Sequence, residues 1–280
     1  MKLTTIEDLQ NADAETVRDA LTHVQFIPKI EAHLEDLNLE PHSKRLGVFS
    51  ASDLGNKDGQ SLCKRYPIGC ARKLYYRYVG VTPQDRVPPR LRRIFDTGSH
   101  VHLQLQGYLH KAAEESEVEI FADEIEFNEN NSEMADRYDI ESTTDGVWRI
   151  DSPDLGLKYG LEIKSMKSEL FAQLSRADAS HVVQSHVYMA CLDLPFMVVL
   201  YYSKNDSNMA EFVVQYDQKV WDAITKKIDY VREHALEETE PKREAGFHCR
   251  TCRYAFICKP PKTSSTKMRR AKRKFGKGGR

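Results

Sequence analysis

Between residues 97 and 115 the apolar positions recur every three or four residues. Gly98, Val101, His102, Leu105, Tyr108, Leu109 and Ala112 fall on one stripe, which predicts an amphipathic helix with His102 facing inward. Period-two or continuous apolar runs predict strands at 118–121, 143–150, 157–165, 196–203 and 211–216. Two further helices are predicted, His181 to Leu192 and Val220 to Leu236, the second with Trp221, Ile224, Ile228 and Val231 along one face. Ahead of these, Val17, Leu21 and Val24, then Ile30, Leu34 and Leu37, have helical spacing with breaks expected at Pro28 and Pro41. A Gly, Ser and Asp-rich loop then leads into a helix at ARKLYYRYVGV, with a break at Pro83, Pro88 and Pro89. The order helix, three strands, helix, two strands, helix predicts an α/β fold with a central sheet flanked by helices.

The chain has 280 residues and 40% hydrophobic content, enough for one sizeable core. Expected organisation is a helical extension over 1–45, a main domain over 46–260 and a basic, disordered tail over 261–280. With 30% charged residues and no apolar run of bilayer length, no membrane association is predicted. The acidic first twenty or so residues lack the apolar stretch of a secretory leader, so a reducing, cytoplasmic setting is expected. The net charge of -1 hides an asymmetry: residues 262–280 hold nine Lys or Arg and no acid, and the rest carry 32 basic and 42 acidic groups. A basic tail on an acidic body suits contact with nucleic acid, although the same run is also a common solvated terminus.

The densest chemistry is Asp145 with Glu162, Ile163 and Lys164. On a strand, Glu162 and Lys164 share a face, roughly 6.5 Å apart along the chain, while Leu161 and Ile163 point to the core. Counting outward equally from a turn at Ser152 to Leu155 sets Asp145 opposite Glu162, with Cβ atoms about 5 Å apart, close enough for both acids to hold one magnesium or manganese ion. Phosphodiester cleavage asks for stabilisation on the order of 20 kcal/mol, which divalent ions supply by clamping the attacking and leaving oxygens. A neighbouring lysine can orient or deprotonate water and offset charge on the phosphate. Alone, the same side chains would make an ordinary surface salt bridge. His102, four residues after Gly98, offers an imidazole ligand where the glycine leaves room for close helix approach, or else a core histidine. Gln184 and Tyr188, one turn apart, can reach a phosphate or brace Lys164.

Six cysteines are too few for a disulfide scaffold in a chain of this length. Cys249, Cys252 and Cys258 form CxxCxxxxxC, a spacing that favours a metal and calls for a fourth thiolate, either Cys70 or Cys63. Four thiolates suit an iron–sulfur cluster or zinc equally well. Cys191 is expected in the core.

The set Gly98 to His102, Asp145-Gly146, Glu162-Ile163-Lys164 and Gln184 to Tyr188, in this order and spacing, resembles the RecB-type PD-(D/E)xK nucleases. Cys70 before an Arg-Lys-aromatic helix, paired with the distal CxxCxxxxxC, resembles the iron–sulfur members of that group, the CRISPR-associated RecB-like and AddB-type nucleases. The resemblance spans about residues 46 to 260. It implies a restriction-endonuclease-like core with a mixed sheet and a four-cysteine clasp. Asp145, Glu162, His102 and the Ile163 carbonyl would bind Mg2+ or Mn2+. Lys164 would act on the water, Gln184 and Tyr188 would assist with DNA, and Cys70, Cys249, Cys252 and Cys258 would hold a [4Fe-4S] cluster. Asp154, next to Pro153, sits in the turn and is too close in sequence to pair with Glu162. The implied activity is a DNA exonuclease acting on ends or single strands in recombination, repair or DNA processing, in company with a helicase, recombinase or integrase. The rival readings are a non-catalytic DNA-binding or assembly subunit with the same stapled fold, and a zinc-stapled binder working through its tail.

Overall fold

The computed structural model describes residues 26–37, 46–56, 67–83, 87–114, 118–122, 124–150 and 157–258. The helix expected at Val17 to Val24, Pro41, Cys63, the turn at Asp154 and the basic tail lie outside these residues. Two compact units divide the chain: Met1–Ser43 with Asp85–Thr97, and Lys44–Gln84 with Gly98–Arg280.

In chain order the helices are α1 (Phe26–Asp36), α2 (Ala51–Leu54), α3 (Ala71–Tyr78), α4 (Pro89–Glu114), α5 (Glu133–Arg137), α6 (Ser168–Phe171), α7 (Ala179–Leu192), α8 (Gln218–Leu236) and α9 (Ala255–Cys258). The strands are β1 (Val118–Ala122), β2 (Ile125–Phe127), β3 (Ser142–Thr144), β4 (Gly146–Ile150), β5 (Leu157–Met166), β6 (Phe196–Ser203) and β7 (Met209–Gln215). Two proline positions depart from expectation. Pro28 lies inside the first turn of α1, and Pro89 opens α4, whose Leu91 and Arg92 amides donate to the Pro88 carbonyl. First-turn amides have no helical acceptor, so proline loses nothing there and its fixed φ favours the helix. Within the first unit, Arg93 Nη1 meets Glu31 Oε1 at 2.6 Å.

The second unit is built on a five-stranded sheet of order β1-β4-β5-β6-β7, in which β5 and β6 run parallel and the other pairs antiparallel. The expected mixed sheet flanked by helices is therefore present. One sheet face carries Trp148, Leu161 and Ile163, packed against Val101 and Leu105 of α4. The other carries Val147, Met197, Val199 and Tyr201, packed with Val183, Val187, Ile224 and Ile228 of α7 and α8. Nearly all of α7 is buried, from Val182 through Met189, which leaves its polar members Gln184, Ser185 and His186 inside the protein. Its ends are set by capping: Asp178 accepts the Ser180 N–H at the start, and Asp193 takes the left-handed conformation (φ 53) at the end.

Other expectations need correction. Residues 143–150 do not form one strand, because β3 pairs with β2 in a separate two-stranded sheet and β4 begins only after Asp145. On α4, Tyr108 is 59% exposed and Ala112 is also exposed, so the inward stripe narrows to Val101 and Leu105 with Leu109 half-buried. Cys191 is buried as expected, and burial pushes its thiol up to about 12. Among the described residues no helix is long and apolar enough to cross a membrane.

Candidate active site

The β4–β5 register delivers the acidic centre. Ile150 pairs with Leu157, Trp148 with Tyr159 and Gly146 with Leu161, so one further step sets Asp145 beside Glu162, as equal counting from the turn predicts. Asp145 lies just past the end of the ladder, and its side chain explains the break. Asp145 Oδ2 accepts the Ile163 N–H at 2.7 Å, taking the place of a main-chain acceptor. Thr144 Oγ1 donates to the Leu161 carbonyl at 3.0 Å, standing in for a main-chain donor. The strand therefore splits where side-chain oxygens substitute for backbone, which holds the Asp145 carboxylate against β5.

Helix α4 adds His102, whose Nδ1 lies 3.3 Å from Asp145 Oδ1. That hydrogen bond raises the imidazole above its ordinary pKa, against the opposing effect of burial. One turn on, Gln106 Nε2 donates to the Asp145 carbonyl at 3.2 Å. Sequence reading did not single out Gln106, although its four-residue offset from His102 marks it. Gly98 is less critical than expected, since a Cβ there would meet only Ser165 Oγ at an ordinary 3.5 Å. A glycine that close packing does demand beside the site is Gly55, where a Cβ would lie 2.6 Å from the Ser180 carbonyl and 3.0 Å from Gln184 Cβ. It lets the end of α2 rest on α7 beside the site.

Glu162 does not lie on an open polar face. It is 2% exposed, and its Oε1 accepts from Gln184 Nε2 at 3.0 Å and pairs with Lys164 Nζ. Gln184 Nε2 also bonds the Tyr188 hydroxyl at 2.6 Å. Gln184 thus braces Glu162, not Lys164, and both it and Tyr188 are buried. Burial pushes the Glu162 carboxyl up to about 7, with Lys164 pulling it down and Asp145 adding a smaller upward push. The Tyr188 phenol is likewise raised well above its ordinary value, mainly by burial. Two carboxylates in a poorly solvated corner, one lysine and one histidine make a place where positive charge is stabilised. Lys164 and His102, at 25% and 28% side-chain exposure, and Asp145 at 18% are open to a ligand from outside, whereas Glu162 is not.

The cysteines occupy a second region. Cys70 is the residue immediately before α3, as expected, and it and Cys249 are buried, while Cys252 and Cys258 are half-buried. The segment carrying the last three lies on α3: Arg72 Nε donates to the Pro241 carbonyl at 2.8 Å and Tyr76 OH to Glu240 Oε1 at 2.8 Å. The Tyr76 and Tyr254 rings are 5.5 Å apart. Buried Glu244 bonds Lys227 Nζ of α8 at 2.8 Å and the Ala71 N–H at 3.3 Å. Chain segments far apart in sequence thus meet, with Ala71 and Glu244 separated by 173 positions. Among the described residues, no three His, Cys, Asp or Glu side chains converge as a metal cluster, at either region.

No protein-family description matches the chain, and no curated protein matches its sequence. Among solved structures, the crystal structure of SSO0001 is similar with a TM-score of 0.46 and 16% identity, over 85% of this chain and 98% of that one. An alkaline exonuclease (LHK-Exo) from Laribacter hongkongensis is similar with a TM-score of 0.48 and 12% identity, over 69% and 90% of the two chains. Its complex with dAMP gives 0.47 and 13% over the same shares, 69% and 90%. Likenesses of this degree decide nothing about the chemistry, which rests on the side chains themselves.

Proposed function

We propose that the chain is a metal-dependent deoxyribonuclease, an exonuclease acting on DNA ends or single strands. The observation that carries this reading is the meeting of Asp145, buried Glu162 and Lys164 at the end of the β4–β5 ladder. Magnesium keeps several of its waters and commonly takes only one or two protein carboxylates, so two acids fit it without a third convergent side chain. The strained ionisation of Glu162 fits too, because a cation would offset the burial that now disfavours its charge. In a strand a residue's N–H and C=O point to the same edge, so the Ile163 carbonyl shares the Asp145 side of β5 and is a further oxygen donor. His102 steadies Asp145 from α4.

A bound divalent ion supplies a more acidic water and neutralises charge building on the phosphoryl oxygens. The protein's own groups do the rest. Lys164 Nζ, tethered by Glu162, orients the attacking water and offsets phosphate charge. Gln184 fixes the rotamer of Glu162 from beneath, and the Tyr188 hydroxyl fixes Gln184. Drawn together, Cys70, Cys249, Cys252 and Cys258 would supply four thiolates suited to an iron–sulfur cluster, with zinc as the competing metal. The seating of the 240–254 segment on α3 supports their assembly.

The test is end-labelled linear and closed circular DNA incubated with and without manganese, alongside the visible spectrum. Linear DNA should be consumed only with the metal, circular duplex spared, and the protein coloured. Glu162→Ala and Lys164→Ala should each lower the cleavage rate by about a thousandfold or more, the scale of a lost charge-stabilising group. Parent-like cleavage in either variant would falsify the assignment.

A further inference from the structure

Strand β7 ends one side of the five-stranded sheet, and its outer edge pairs with no strand among the described residues. The register tells which of its groups point outward. Tyr216 N–H donates to the Pro195 carbonyl and Ser203 N–H to the Asn208 carbonyl, so the even-numbered positions of β7 face β6. In an antiparallel pair alternate residues turn their main-chain groups to opposite edges, which directs the N–H and C=O of Met209, Glu211, Val213 and Gln215 away from β6. Among the described residues those groups enter no main-chain hydrogen bond. Folded proteins blunt such an edge with proline, lysine, a bulge or a very short strand. None is found in β7, whose seven residues MAEFVVQ pair with β6 in unbroken register and include a single charge, Glu211.

Apolar side chains flank this edge on both faces of the sheet. Leu161, Val198 and Val213 stand in line across β5, β6 and β7, so Val213 shares the face that α4 covers further in, yet it is 62% exposed. On the other face Phe212 is half-buried against Tyr201, with ring centroids 5.7 Å apart. Beyond it Val214 and Tyr216, with Val182 and Val220, border a groove of about 490 Å³. A second copy of β7 answers both faces at one antiparallel register. With Val213 opposite the partner's Val213, Glu211 meets the partner's Gln215, a carboxylate against an amide donor, and the partner's Phe212 falls beside Val214 at the groove. The three outward-facing residues of each strand then exchange about six main-chain hydrogen bonds. Neighbouring registers fit worse: one sets Glu211 against the partner's Glu211, another sets it against the partner's Val213.

We propose that the chain forms a two-fold dimer through β7, the two edges joining antiparallel about Val213 so that both five-stranded sheets run on as one. The dimer goes beyond the nuclease reading and uses none of its chemistry. Strand β5 lies two places in from β7, which keeps Asp145, Glu162 and Lys164 out of the seam.

The test is sedimentation equilibrium of the full chain across the micromolar range, with circular dichroism to check folding. The parent should sediment as a dimer. Val213→Lys, which sets two ammonium groups face to face on the two-fold axis, should weaken self-association by about a hundredfold or more. Val213→Pro should disperse the dimer as well, because the N–H it removes points outward and serves no bond within the chain's own sheet. Val213→Cys should give a disulfide-linked dimer on mild oxidation, since opposed residues of a hydrogen-bonded antiparallel pair have Cα atoms about 5.5 Å apart, within disulfide reach. The parent is its control, its described cysteines being buried or half-buried. A parent that stays monomeric overturns the proposal and leaves the edge to some other strand. So does a dimer that survives both Val213→Lys and Val213→Pro, and so does one that Val213→Lys disperses but Val213→Cys fails to cross-link, because its register is then a different one. A dimeric parent that never cleaves DNA removes the nuclease reading and leaves this pairing standing. A cleaving monomer removes only the pairing.

Discussion

The acidic centre and the cysteine segment are held by different kinds of force. Asp145 and Glu162 are brought together by a short antiparallel register, and the last rung is a side chain that replaces a backbone acceptor. The cysteine segment is brought to α3 across most of the chain by side-chain contacts, chiefly the buried Lys227, Glu244 and Ala71 junction and the Arg72 and Tyr76 bonds. Main-chain ladders are many weak bonds in parallel, so no single side chain undoes them. A polar junction buried in low dielectric concentrates its stability in one or two groups. The first region is robust in placement and sensitive in chemistry, and the second is the reverse.

Breaking the junction should give the largest effect on stability. Lys227→Met takes the ammonium from a buried carboxylate, a change that costs about 3–5 kcal/mol. Urea unfolding should show that loss, and Cys249 should react faster with iodoacetamide. Unchanged stability and thiol reactivity would mean that the segment is seated by something other than this pair.

Glu162 gives the next effect, and its sign distinguishes a functional acid from a stabilising one. Its folded pKa is raised from 4.5 to about 7, so between those values the folded protein holds a proton that the unfolded chain has released. Stability without divalent ions should fall as pH rises through that window. Glu162→Gln, neutral throughout, should lose this slope and exceed the parent by up to about 3 kcal/mol near pH 8, while matching it near pH 5. Urea midpoints at the two pH values check this, and a variant weaker than the parent at the higher pH would contradict the burial argument.

Smallest is the contrast between two glycines at the edge of the site. Gly55→Ala meets the Ser180 carbonyl and should cost about 1–3 kcal/mol. Gly98→Ala meets only an ordinary contact at a half-buried helix position and should gain up to about 1 kcal/mol. Thermal melts of both variants would show whether the site needs its neighbouring glycine or the more distant one.

The register of Asp145 and Glu162, the helix position of His102, the Gln184 and Tyr188 pair and the place of Cys70 before α3 were all legible in the chain. Each depends on local periodicity or on counting through one turn, which the sequence by itself determines. Proline and strand boundaries were less legible, since a proline at a helix start and a proline that ends one look alike, and an aspartate that caps a strand looks like one inside it. Tertiary structure alone decided that Glu162 is buried, that Gln184 braces it, that Gly55 bears the close contact and that β7 forms the outer edge of the sheet. Those facts depend on which helix covers which sheet face, and that depends on packing between segments far apart in the chain.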